Sequence, residues 1–175
     1  AHYVQQLRNW LPFTEVERSI HQAEEWWQST GSLCVDHTGL KAERNIHRYR
    51  VLRKGIEVRV AADVSAQTLE YISAIRRITR APITLSSSAP LPGDLHATVE
   101  DLATFTDRVK TERVRVLSGE PVDASALLAR GVSVDRRPMA ANGAVEIARW
   151  LHEQSVSITN HRYGNVGSGP HPAVH

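Results

Sequence analysis

The chain has 175 residues, 41% of them hydrophobic and 23% charged, a composition ordinary for a soluble globular protein and long enough for one domain with its own core. With 21 Lys and Arg against 19 Asp and Glu, the formal net charge of +2 gives little field to steer nucleic acid, and no apolar run reaches the length of a membrane span. The opening AHYVQQLRNW lacks the basic-then-apolar pattern of a secretory signal, and one cysteine excludes an internal disulfide framework and fits a reducing, cytoplasmic compartment.

In chain order, Thr14 and Glu17 read as a capping-box pair opening a helix. Val16, Ile20, Ala23 and Trp27 follow at helical spacing, Gly31 ends the segment, and Trp26 and Trp27 read as core. Residues 31–45 have turn chemistry but no period. Residues 48–53 and 56–61 read as strands, and the short Lys54-Gly55 turn between them predicts a hairpin. Ser65 caps a helix carrying Leu69, Ile72, Ile75 and Ile78, and residues 82–87 form a strand before the Pro-rich loop SSSAPLPGD. Thr98, with Asp101 three residues on, is expected to cap a helix with Val99, Leu102, Phe105 and Val109. Residues 113–118 are a strand, Asp123 caps a short helix with Leu127 and Leu128, and residues 132–135 are a strand. Asn142 caps a helix with Val145, Ala148 and Leu151, and residues 155–159 are the last strand. Strands alternating with helices of this length imply right-handed crossovers and a mainly parallel sheet. The fold class is therefore α/β, a Rossmann-like sheet with flanking helices. Residues 1–47 are an N-terminal helical arm and linker, 48–160 the Rossmann-like domain, and 161–175 a polar C-terminal tail.

Parallel strands covered on both faces normally read as continuous apolar runs. Here Ile56, Val58 and Val60 alternate with Glu57 and Arg59, Val114 and Val116 with Arg113 and Arg115, and Ile83 and Leu85 with Thr84 and Ser86. This pattern predicts one polar sheet face, either solvated or docked on a polar partner.

A nucleotide-binding α/β domain needs a Gly-rich strand–helix junction, because only glycine lets backbone N–H groups close on a pyrophosphate. The junctions here read AADVS, SSSAPLPGD, LSGEPVD and DRRPMAANG, and none carries that motif. Cys34 is read as a half-buried structural thiol, since adjacent Asp36 and His37 do not make a dyad by sequence proximity. Nine histidines include no pair with metal-ligand spacing. Arg76, Arg77 and Arg80 read as a solvated helix face. No catalytic, cofactor-binding or metal residue is predicted.

Residues 39–60, GLKAERNIHRYRVLRKGIEVRV, and 148–165, ARWLHEQSVSITNHRYGN, resemble the C-terminal region of the bacterial proline utilization A proteins and related L-glutamate γ-semialdehyde (1-pyrroline-5-carboxylate) dehydrogenases. Residues 43–50 look like the opening strand of the domain that follows the catalytic dehydrogenase there, and AHYV looks like the end of the catalytic domain. The resemblance implies a degenerate aldehyde-dehydrogenase-superfamily domain without nucleophile or NAD. It would seal the path along which the semialdehyde travels and support assembly with the catalytic domain of the same parent chain. The parent would oxidise the semialdehyde to glutamate with NAD; FAD, a proline dehydrogenase domain and a homo-oligomer stay open. Cys34 lacks the Gly-Gln pair that precedes the nucleophile of aldehyde dehydrogenases. A start without Met fits an excised piece of such a protein.

The polar cluster near the chain end is the candidate inter-domain docking site: Asn160, His161, Arg162, Tyr163 and Asn165. Arg162 offers a planar fork, Tyr163 area with a polar tip, and Gly164 a sharp turn. The alternative docking-free reading is a polar cap on the domain's own edge. A different function class also stays open: a self-sufficient small α/β enzyme or ligand-binding module with a pocket above Ser86, Ser118 and Asp135, at the carboxyl ends of the strands.

Overall fold

A computed structural model describes residues 13–92, 96–117, 120–159, 161–162 and 165–166, with Phe13 and the last four positions described as backbone. Its centre is a five-stranded, wholly parallel sheet in the order β5-β4-β3-β6-β7. The chain enters at the middle strand, β3 (Ile56–Val60), and moves outward to one side through β4 (Ile83–Ser87) and β5 (Ala97–Val99). It then returns to build β6 (Arg113–Val116) and β7 (Ser133–Asp135) on the other side. The expected Rossmann-like α/β architecture is what forms.

Helix starts follow the predicted cap chemistry in three places. Ser65 accepts from the Thr68 amide at the head of α2 (Ala66–Thr79), Asp123 from Ser125 and Ala126 at α4 (Ala124–Ala129), and Asn142 from Val145 at α5 (Gly143–Ala148). At α3 (Leu102–Arg108) the cap is Asp101, which accepts from the Thr104 amide. Thr98 is instead a strand residue, paired with Ser86. Both Thr98 and Asp101 are capping types, and strand pairing decides between them. The first described helix, α1 (Phe13–Trp26), already contains Thr14, so Thr14 does not open it. It ends in a π turn, Trp27–Gly31, in which buried Gly31 lets both indoles close in.

The predicted polar sheet face does not exist. Glu57, Arg59 and Arg115 are 3%, 0% and 0% exposed, and the register explains why. Ile56 pairs with Ile83 and Val58 with Leu85, so the apolar positions of β3 and β4 share a face. Across the next seam Ile56 pairs with Arg113 and Val58 with Arg115, while Glu57 and Arg59 pair with Val114 and Val116. The apolar face therefore changes side between β3 and β6. Ile56, Val58, Ile83 and Leu85 pack with Leu69, Ile72 and Ile75 of α2, whereas Val114 and Val116 pack with Phe105 of α3 and Leu127 of α4. Each half of the sheet is covered chiefly on one face, and the covered face swaps. At the seam both faces are covered, so the polar side chains there are sealed in.

A second, antiparallel sheet takes the place of the predicted hairpin. β2 (Glu43–Val51) pairs with β1 (Cys34–Asp36) and, from Glu43↔Thr159 to Val51↔Leu151, with β8 (Leu151–Thr159). β2 and β3 thus belong to different sheets. The Lys54-Gly55 turn carries the chain between them: Gly55 has φ +79°, and a Cβ there would lie 2.4 Å from the Pro82 carbonyl oxygen. The turn is pressed on the approach to β4 rather than folded back on β2. β8 begins at Leu151, so α5 stops three residues short of the predicted helical Leu151.

The arm helix α1 is part of the core. Val16 and Ala23 are buried, and Ser19 Oγ donates to Tyr71 Oη of α2 over 3.1 Å. On its other side α1 meets α5 at Gly143, where a Cβ would stand 1.8 Å from the Ser19 carbonyl oxygen. Trp26 and Trp27 pack half-buried against the same core, and Trp26 meets Tyr49 of β2 edge to face at 4.9 Å. Trp150, fully buried, follows α5 and roofs the β6 side of the sheet.

Candidate functional site

In an open parallel sheet, ligands gather outside the carboxyl ends of the strands where the winding direction reverses. Here that place is the seam between β3 and β6. Arg59, the fourth residue of β3, stands there with a fully buried side chain. Its Nε donates to Glu120 Oε2 at 3.0 Å, and its Nη1 donates to Ser86 Oγ at 2.8 Å and to the Glu100 carbonyl at 3.0 Å. The guanidinium carbon lies 5.3 Å from the Phe105 ring centre. Nη2 is buried with no hydrogen-bond partner among the described residues.

The network continues outward. Ser86 Oγ donates to Glu100 Oε1 at 2.7 Å, and Arg108 of α3 spans two carboxylates, Glu100 at 2.6 Å and Glu57 at 2.8 Å. Glu57 also accepts from Thr84 Oγ1 at 2.8 Å. The hydrogen bond from Arg108 holds the Glu100 carboxyl below the usual carboxylate range, and Glu100 and Glu57 in turn hold the Arg108 guanidinium charged. Two arginines face three carboxylates, Glu57, Glu100 and Glu120. The crevice is filled by protein side chains with an excess of negative charge, a poor environment for a phosphate.

The opposite face of the seam carries a second network. Arg115 donates to Asp135 of β7 at 2.7 Å and to Glu146 of α5, and lies 5.1 Å from the Trp150 ring centre. Trp150 Nε1 and Arg149 donate to the same Glu146 carboxylate. Arg137 grips Asp135 with Nε at 2.9 Å and Nη2 at 2.7 Å. Burial raises the Asp135 carboxyl, but Arg137 and Arg115 more than offset it, so the group sits well below its ordinary value. Arg113, desolvated beside this network, is lowered and donates to the Arg149 and Leu151 carbonyls.

A cleft of about 1200 Å³ lies beside β7, edged by Arg113, Glu120, Asp135, Arg137, Arg149 and Glu153. Its arginines are largely committed to internal carbonyls and carboxylates. Asp135 lines it and Ser86 does not; Ser118 lies outside the described residues. Of the three residues above which the alternative reading would place a pocket, Asp135 is the one that lines this cleft among the described residues.

Of the predicted docking residues, His161 and Arg162 form β9 (His161–Arg162), which pairs antiparallel with β10 (Asn165–Val166), so Asn165 stands opposite Arg162. Asn160 and Tyr163 lie outside the described residues. Cys34 is exposed rather than half-buried, because β1 is the short outer strand of its sheet. Arg76, Arg77 and Arg80 are exposed as expected, with Arg77 2.9 Å from Glu24. No cluster of three or more metal-ligating side chains occurs among the described residues. Sequence reasoning missed Glu100, Arg108, Glu120 and Glu146. The available signal was the charge inside the strands themselves: a buried Arg59 or Arg115 demands a counter-charge somewhere.

No family model matches this sequence, and no curated protein matches it. Among solved structures, the fold is similar to part of Proline Utilization A (PutA) from Corynebacterium freiburgense, with a TM-score of 0.57 and 24% sequence identity. The match covers 95% of this chain and 15% of that one, so the chain spans about a seventh of the length of that protein.

Proposed function

We propose that this chain is a non-catalytic domain of a larger proline-catabolic dehydrogenase, one that oxidises L-glutamate γ-semialdehyde with NAD elsewhere in the protein. The observation that carries the reading is the proportion of the match: nearly all of this chain against a small part of PutA. The chemistry at the seam supports it. Where a dinucleotide-binding sheet offers glycine amides to a pyrophosphate, this sheet presents Glu120 and Glu100 bound to Arg59 and Ser86. The role we assign is to cover the internal path of the semialdehyde and to support assembly with the catalytic domain, with the segment 160–165 at the contact.

The test uses the parent protein. Its full reading frame is expected to place an aldehyde dehydrogenase sequence before Ala1. Removing residues 1–175 should let a trapping amine capture the free semialdehyde during turnover, while the catalytic domain still oxidises added semialdehyde. Arg162→Ala should weaken assembly while changing the stability of the isolated chain by less than about 1 kcal/mol, the outcome expected if the side chain serves the contact rather than the domain's own core. Micromolar binding of NAD by this chain in calorimetry would overturn the proposal.

A second reading, a ligand-binding module, has one observation in its favour, the cleft beside β7. A small ligand that protects Arg137 and Glu153 from hydrogen exchange or chemical labelling would favour it.

A further inference from the structure

The Arg59 guanidinium presents one of its edges half-filled. Nε and Nη2 share an edge of the planar fork, the geometry that meets two oxygens of one carboxylate or phosphate. Glu120 takes only Nε, at 3.0 Å, and Nη2 is buried without a hydrogen-bond partner among the described residues. A carboxylate free to choose its position would use both donors. Leu117, three residues before Glu120, donates its amide to the Arg59 carbonyl at 3.1 Å, so the chain leaving β6 is anchored to the same residue that Glu120 meets.

We propose that Arg59 is a closed oxyanion site, and that Glu120 is a built-in anion that occupies it and keeps small oxyanions out. The ligand chemistry is a phosphate or carboxylate group able to span Nε and Nη2 together. Ser86 and the Glu100 carbonyl hold the other edge of the fork in place at 2.8 and 3.0 Å, and Phe105 backs its face. The guanidinium is thus positioned independently of Glu120. In the wild-type chain the site is shut. The assignment stands on the seam geometry alone and does not depend on the proposed parent enzyme.

The test is the thermal midpoint of the full chain and its Glu120→Ala and Glu120→Gln variants, in phosphate, acetate or chloride at matched ionic strength. Both variants are expected to gain stability saturably with phosphate, with an apparent affinity at least tenfold tighter than that of the wild type. Acetate giving the same gain identifies the site as a carboxylate fork; phosphate alone identifies a phosphate site. Should Glu120→Ala be unfolded in chloride, its refolding on adding phosphate or acetate supports the proposal. Folded variants that respond equally to all three salts overturn it, as does Glu120→Gln failing to fold in every salt, which would make Glu120 a structural counter-ion only. Arg59→Met in the Glu120→Gln background should abolish the gain, and a gain that survives also overturns the assignment.

Discussion

Asp135 shows how a single residue can carry two contradictory demands. It is desolvated between β7 and α5, which disfavours its charge, yet Arg115 and Arg137 both require that charge. The arginines win, so the folded carboxyl is more acidic than the unfolded one. Between the depressed folded value and the unfolded value the denatured chain binds more protons, so stability rises with pH in that window and is lost as pH falls through it. Urea midpoints should therefore drop on acidification from near the ordinary carboxylate value of 3.8 downward. Glu100, lowered by Arg108, contributes in the same direction. Asp135→Asn should lower stability at neutral pH and flatten this acid limb. An unchanged acid limb in the variant would mean that other carboxylates govern it. Neither network was predicted from sequence, although the buried arginines at its centre were visible as charges in short β-branched strands.

At the level of elements, close approach matters more than propensity. α1 and α5 cross where Gly143 leaves room for the α1 backbone, and any Cβ at that position meets the Ser19 carbonyl at 1.8 Å. Backbone cannot step aside as a flexible side chain can, so Gly143→Ala should cost at least about 1–3 kcal/mol, the usual penalty of overpacking. Ser65→Ala removes only the α2 cap and should cost about 1 kcal/mol. Chemical denaturation of the two variants checks the order; a Gly143→Ala chain as stable as Ser65→Ala would show that α1 and α5 can slide apart. The caps Ser65, Asp123 and Asn142 were legible because a cap is a contact across three residues. The β2–β3 hairpin was misread for the opposite reason. The partners of β2 are β1 and, about a hundred residues away, β8, and nothing local in Lys54-Gly55 announces either.

Across the whole molecule, two apolar clusters lie on opposite faces of one sheet, with α2 over one and α3 and α4 over the other. The seam networks tie them together through β3 and β6. Phe105 belongs to one cluster, whereas Trp26, Trp27 and Trp150 belong to the other. Phe105→Ala should lower stability by about 3–5 kcal/mol. It should also move the unfolding transition seen by tryptophan fluorescence together with that seen by far-ultraviolet circular dichroism, as a cooperative unit requires. A tryptophan transition left in place would mean that the two halves unfold separately. The same scale bears on the similarity to PutA: almost all of this chain matches a small share of that protein, so the match concerns how a module folds.

The sequence by itself determined the α/β class, the strand–helix rhythm, three of the five helix caps expected from it (Ser65, Asp123 and Asn142, but not Thr14 or Thr98) and the absence of a Gly-rich phosphate loop from its junctions. These are local properties, set by neighbours within a turn or a strand. It also showed that the strands alternate, but alternation has a phase, and the phase of one strand relative to the next is not written in either. Pairing Ile56 with Arg113 rather than with Val114 sends the apolar residues of β6 to the opposite face from those of β3. Only the tertiary structure made that choice. It turned a polar face expected to be solvated or docked on a polar partner into two buried ion-pair networks, and it set Glu120 against Arg59 at the place where a sheet of this topology would otherwise receive a ligand.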